Sequence, residues 1–255
     1  MSNPALRTQG LWKQAKNKGF MPQVSSKPHV SISSPAKERV ITYIDGYNLY
    51  FGLREKIQVR DTNGGQPNIH WKRFLWLDAV KLSESLLRPN QVLIRTKYFT
   101  SRIRGNPQKE ARQSLFLEAI SILPNIKLYF GTFQPDPKRC TQCGHIAYHT
   151  QEKKTDVNIA TQILNDAIHN NFDTAILISA DSDQVPTIEM TRRIFKKKVV
   201  VTFPPRRISA ELQTTANFVY HLGESKFRQS LMPATVKLPS GKEIKCPAKW
   251  LVALP

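Results

Sequence analysis

The feature that most constrains this chain is a repeated alternation of texture. Short β-branched apolar runs, Val40 to Ile44, Val92 to Phe99, Ile126 to Phe133, Thr174 to Ser179 and Val199 to Phe203, are separated by longer stretches with helical periodicity. Apolar runs of this length read as strands buried on both faces. The intervening segments near residues 70–87, 107–122, 155–169 and 185–196, with a shorter one around 208–215, read as helices. Strand and helix in strict alternation predict an α/β fold whose mostly parallel sheet is covered on both sides. No internal repeat is present.

Two flanks differ from this centre. Residues 1–38 are polar and basic, interrupted by Pro4, Pro22, Pro28 and Pro35, and read as a flexible arm that is either a solvated tail or an auxiliary contact to nucleic acid. Residues 39–222 carry the alternating pattern. Residues 223–255 form a short C-terminal extension in which Thr235 to Leu238 and Glu243 to Lys245 flank a Ser240-Gly241 turn signal, so a small hairpin is expected there, or else a disordered tail. At 255 residues, one principal core is the default.

Charge narrows the partners. Lys and Arg total 38 against 19 Asp and Glu, a net charge of +19 and a pI near 10.0, which favours a polyanion, nucleic acid first. An acidic membrane surface is the rival, but no apolar run approaches the roughly 18 residues of a spanning helix. Three cysteines cannot staple a secreted domain of this size, and no secretory leader is visible, so a reducing, cytoplasmic setting is expected. The acid-free, serine-containing first 37 residues also have the composition of a transit peptide.

Carboxylates are scarce, yet several sit where parallel sheets build their sites, just past the C-terminal ends of strands. Asp45 follows the first run directly and is trailed by Gly46 and Asn48; it is a site acid or a cap for the next helix. Asp181 and Asp183 follow the Thr174 run and repel one another unless a cation or proton intervenes, which suits Mg²⁺ or Mn²⁺; alternatively they make a solvated turn. Asp156 opens a patterned helix behind Thr155, which reads as its N-cap, so its charge either joins a site or serves the helix dipole. Asp166, almost three turns on, reads as structural.

The stretches Ile44-Asp45-Gly46-Tyr47-Asn48, Glu152-Lys153-Lys154-Thr155-Asp156-Val157 and Ser179-Ala180-Asp181-Ser182-Asp183 resemble the three motifs of the NYN domain, within the PIN-like nuclease superfamily. The resemblance spans roughly residues 39–222, and the tail with Pro233, Gly241, Pro247 and Trp250 is similar to the extension of bacterial LabA-like members. It implies a Rossmann-like, three-layer α/β/α sandwich whose acidic pocket binds Mg²⁺ or Mn²⁺ and hydrolyses RNA to leave a 5′-phosphate. Asp45, Asp156, Asp181 and Asp183 fall on the family's acidic positions and Asn48 on its polar companion. Ala180 and Gln184 depart from the family's common Gly and its aromatic or apolar residue; neither change removes a ligand.

Cys140-x-x-Cys143 with His145 and His149 supplies four ligand types for a structural zinc clip in the loop at about 135–150; free thiols in an ordinary loop are the alternative. Lys153 and Lys154 beside Asp156, and Arg102 and Arg104 after the second strand, are expected to meet phosphate, or to be ordinary solvated surface. Further basic groups lie at Lys97, Lys196 to Lys198 and Arg206-Arg207, while Tyr47, Tyr98 and Phe99 are weighed as base-stacking or core residues. Ser179 and Ser182 are expected to bond a water or a ligand carboxylate. These features lead to a metal-dependent ribonuclease acting on RNA, with DNA and homo-oligomers left open. The runner-up is a non-catalytic RNA-binding or regulatory protein on the same scaffold. A phosphatase with a second Asp two residues after the first is disfavoured, because that position is Tyr47.

Overall fold

The computed structural model describes residues 36–57, 69–139, 142–144 and 146–251; within them, the side chains of 55–57, 69–70, 133–139 and 146–153 are not described. Residues 1–35 of the basic arm expected over 1–38 therefore lie outside the described residues, and Glu38, its last residue, already opens the first strand.

In chain order the elements are β1 Glu38–Asp45, α1 Gly46–Ile57, a 3-10 turn Ile69–Leu75, α2 Ala79–Glu84, β2 Gln91–Thr100, α3 Pro107–Ser121, β3 Ile126–Phe130, β4 Thr132–Arg139 and β5 Ile146–Lys153. There follow α4 Thr155–Ile168, β6 Thr174–Ile178, α5 Val185–Arg193, β7 Lys198–Phe203, α6 Ala210–Thr215, β8 Phe218–His221, α7 Glu224–Gln229, β9 Thr235–Lys237 and β10 Glu243–Lys245. Six strands form one sheet in the order β3-β2-β1-β6-β7-β8, and each neighbouring pair is parallel. This is the doubly wound arrangement, and β1 and β6 meet where the strand order reverses. The expected α/β sandwich is present.

Period-two alternation along β1 assigns its residues to two cores. Val40 and Ile44 pack with Leu49, Leu53, Trp71, Phe74 and Phe227 on one face; Ile41 and Tyr43 pack with Ile159, Ile163, Phe172 and Ile188 on the other. Helix α4 thus covers the face to which alternation also assigns Asp45.

A buried polar cluster fastens α4 to that face. Lys97 on β2 is 5% exposed and Asp166 on α4 is 4% exposed, with Nζ and Oδ2 2.6 Å apart. The Tyr43 hydroxyl donates to the same carboxylate oxygen at 2.6 Å, and Asn171 Nδ2 donates to the other at 3.1 Å. One turn earlier on α4, Gln162 Oε1 accepts from Lys97 Nζ at 2.9 Å and from the Tyr129 hydroxyl at 2.7 Å. Burial and the neighbouring Asp166 push the Tyr43 phenol well above its ordinary range, so it stays a donor. Lys97 is therefore a structural cation, removed from the basic surface that the sequence offered to nucleic acid.

Other differences have local causes. The helix expected over 70–87 is divided at Leu77, which bridges to Leu231, and Asp78, whose carboxylate caps α2 through the amides of Val80 and Lys81. The strand expected through Phe133 ends at Phe130, and beyond Gly131 the chain turns into a separate antiparallel pair, β4 with β5. The segment read as a zinc-bearing loop is this hairpin; Pro135 and Pro137 are accommodated because a two-stranded ribbon has only edges. Strand β8, half-exposed at the sheet margin, carried no clear apolar signal.

The β9–β10 hairpin forms in antiparallel register, and Val236 and Ile244 enter the same core as Trp71 and Phe74. Trp76 Nε1 donates to the Pro233 carbonyl at 2.8 Å, so the C-terminal segment is built into the domain face.

Replacing Lys97 with Met takes the cation away from the buried Asp166 side chain. Urea denaturation of Lys97→Met is expected to show a loss of about 3–5 kcal/mol.

Candidate active site at the sheet edge

β1 and β6 end side by side, and the acids follow from where each chain leaves the sheet. Asp45 is the last residue of β1 and is 4% exposed. Its Oδ1 accepts the Asn48 amide at 2.9 Å and its Oδ2 accepts the Ser179 hydroxyl at 3.0 Å. Gly46 permits this exit: a Cβ there would lie 2.7 Å from the Phe99 carbonyl oxygen and 2.7 Å from the Tyr98 ring. Asn48 Oδ1 in turn accepts the Ala180 amide at 3.2 Å, tying the loop after β6 to the start of α1.

Beyond β6, buried Ser179 also accepts the Asp181 amide at 3.1 Å, so one hydroxyl sets both acids. Asp181 caps the 3-10 turn Ser182–Gln184, accepting the Asp183 amide at 3.1 Å.

Asp156 lies in the first turn of α4. The expected cap, Thr155, is instead the first helical residue and is buried, its hydroxyl 3.4 Å from that of Ser101. The cap position is Lys154, whose φ of 77° is left-handed, a strained corner for a residue with a Cβ. Gln184 Nε2 donates to the Asp156 carbonyl at 3.2 Å and links α4 to the Asp181 turn, while its own buried Oε1 has no partner among the described residues. This bridging role was missed from sequence, where Gln184 registered only as a departure from pattern.

Asp45, Asp156 and Asp181 each offer a carboxylate oxygen, and these atoms lie within 4.8 Å of one another. Asp183 is exposed and stands outside this group. Three hard oxygen donors at this spacing fit a divalent cation of the Mg²⁺ or Mn²⁺ type, which accepts a few carboxylates and keeps waters for the rest.

The basic residues separate by sheet edge. Asp45 pairs in register with Phe99, so Arg102 and Arg104, just past β2, stand at the acids' edge; both are exposed, and the Arg102 guanidinium sits 4.9 Å over the Phe130 ring. Lys154 is exposed next to Asp156, and Arg206 and Arg207 follow β7 at the same edge. Lys196 to Lys198 lead into β7 and therefore occupy the opposite edge, where Lys197 and Lys198 pair with Asp173 and Glu38. Phe99 is fully buried and stacks on Tyr129. Of the expected zinc ligands, Cys140, His145 and the side chain of His149 lie outside the described residues, as does the side chain of the basic Lys153; Cys143 is exposed and forms no disulfide among the described residues.

Fold and site together define a doubly wound α/β protein with an acidic cluster at its topological switch point. The chain belongs to the NYN domain family, whose model matches residues 39–223, and so to the PIN-like nuclease superfamily. Among curated proteins it is similar to a 6-hydroxy-3-succinoylpyridine 3-monooxygenase of Pseudomonas putida, 25% identical over 86% of this chain and 76% of that one. Among solved structures it is similar to a Vibrio parahaemolyticus protein of unknown function, with a TM-score of 0.48 and 18% identity over 79% of this chain and all of that one. A further likeness is to MurG of Acinetobacter baumannii, with a TM-score of 0.32 and 10% identity over 77% of this chain and 43% of that one. No described helix is long and apolar enough to cross a membrane.

Proposed function

We propose that this protein is a metal-dependent ribonuclease that hydrolyses RNA phosphodiester bonds at the Asp45, Asp156 and Asp181 cluster. The observation that carries the reading is the approach of these three carboxylate oxygens to within 4.8 Å in a strongly basic chain of a nuclease superfamily. A divalent cation held by them would polarise a phosphoryl oxygen and acidify a bound water.

The chain's own groups have distinct tasks in this reading. Asp45, buried and fixed by Asn48 and Ser179, is the rigid member of the cluster. Asp156 is exposed and Asp181 partly so, which suits them to accept the proton of the attacking water or to release it to solvent. Asp183 lies two residues past Asp181, on the solvent side, and is proposed as an outer acid acting through water. Lys154, Arg102 and Arg104, with Lys153, would offset the phosphate charge beside an acidic pocket that otherwise repels RNA.

The zinc clip of Cys140, Cys143, His145 and His149 is proposed as a brace for the β4–β5 hairpin, whose second strand leads directly into Lys154 and Asp156. In the ribbon's register His149 pairs with Asp136 while Ile146 pairs with Arg139, so His149 stands three residues, about 10 Å, along the strand from Ile146.

Labelled single-stranded RNA incubated with the full chain is expected to be cut with Mg²⁺ or Mn²⁺ and spared with chelator. Asp181→Asn is expected to lower the rate roughly a hundredfold or more. Binding without cleavage under every condition would favour the regulatory RNA-binding reading. Elemental analysis of the same preparation is expected to find about one zinc per chain, lost in Cys140→Ser.

A further inference from the structure

A cavity of about 330 Å³ lies beneath the sheet face opposite α4, between α1, the Ile69–Leu75 turn, α3 and the C-terminal segment. Its walls include Tyr47, Tyr50, Tyr98, Phe74, Phe116 and Trp250. Arg54, Lys72, Lys109, Arg112 and Lys249 also line it, and among the described residues no carboxylate does. It reaches the acids' edge of the sheet, because Gly46 and Tyr47, the residues directly after Asp45, line it together with Thr100. The Asp45 charge is felt on its wall, where it helps burial push the Tyr98 phenol upward.

Composition selects the occupant. Aromatic walls favour a flat ring, and five cations favour an occupant with repeated negative charge. A lone aliphatic or neutral ligand uses neither property, whereas a nucleotide within a strand uses both. We propose that this cavity is a nucleobase subsite, which receives an unstacked base of single-stranded RNA while the adjoining phosphates lie along Arg54, Lys109, Arg112 and Lys249. The subsite rests on the ribonuclease reading and deepens it: single-stranded RNA, whose bases can leave the stack, is the substrate class.

The test uses the full chain in chelator, where binding proceeds without cleavage, and a short oligoribonucleotide carrying 2-aminopurine, whose fluorescence falls on stacking. Wild-type protein is expected to quench it saturably. Tyr50→Ala is expected to abolish most of the quenching while anisotropy of an end-labelled oligonucleotide still reports binding. Lys109→Glu, on the exposed face of α3, is expected to weaken binding about tenfold with unchanged circular dichroism.

RNA that binds by anisotropy without quenching, or quenches equally with both variants, overturns the proposal. So does quenching displaced by a carboxylated hydroxypyridine but not by excess unlabelled oligonucleotide, which would assign the cavity to a small heteroaromatic acid. If the base is captured as described but Mg²⁺ and Mn²⁺ give no cleavage, the hydrolytic reading falls while the subsite stands.

Discussion

Crowding of like charge is the constraint on which this architecture turns. Three carboxylate oxygens within 4.8 Å repel one another by about 1 kcal/mol per pair in water-like surroundings, and by roughly 3–4 at an effective dielectric near 20. The surrounding structure therefore holds the acids together against a force that would separate them. It does so with short local ties: Ser179 to Asp45 and Asp181, Asn48 to Ala180, and Gln184 to the Asp156 backbone. Apart from the Ser179–Asp181 contact, which is local, each tie joins two different strand or helix ends, so the cluster depends on β1, β6 and α4 together.

Behind the acids, α4 is secured by chemistry of the opposite kind. The buried Lys97 and Asp166 pair satisfies its charges internally, with Tyr43, Gln162, Tyr129 and Asn171 completing the donor and acceptor needs. A buried pair of this type adds little net stability but penalises any arrangement that separates its members. It fixes the seating of α4 on β1, β2 and β3, and with it the position of Asp156 three turns away. The far face of the sheet carries the aromatic cavity, so the two faces divide the labour: one positions the acids, the other offers a basic, ring-lined hollow at the same edge.

Much of this was readable in the residues. Parallel β-branched runs specify strands by burial, and the acids after Ile44 and Ile178 fall where such strands end, so the sheet and the location of Asp45 and Asp181 followed from pattern. Side-chain partners did not. Lys97 looked like surface charge because nothing local distinguishes it from Arg95; its counter-ion is 69 positions away, on α4. Asp183 seemed equivalent to Asp181, since a two-residue spacing does not reveal that Asp181 caps the 3-10 turn while Asp183, within it, is exposed. The cavity was invisible because its walls come from α1, α3 and Trp250, brought together only by the fold.

Three acids crowded at one sheet edge are compatible with a divalent cation, and their mutual repulsion has a measurable consequence. Thermal unfolding of metal-free protein beside Asp181→Asn, each with and without Mn²⁺, measures it directly. The account predicts that the variant without metal is at least as stable as the parent, and that Mn²⁺ stabilises the parent much more than the variant. A destabilised variant, with no Mn²⁺ shift in either protein, would contradict it.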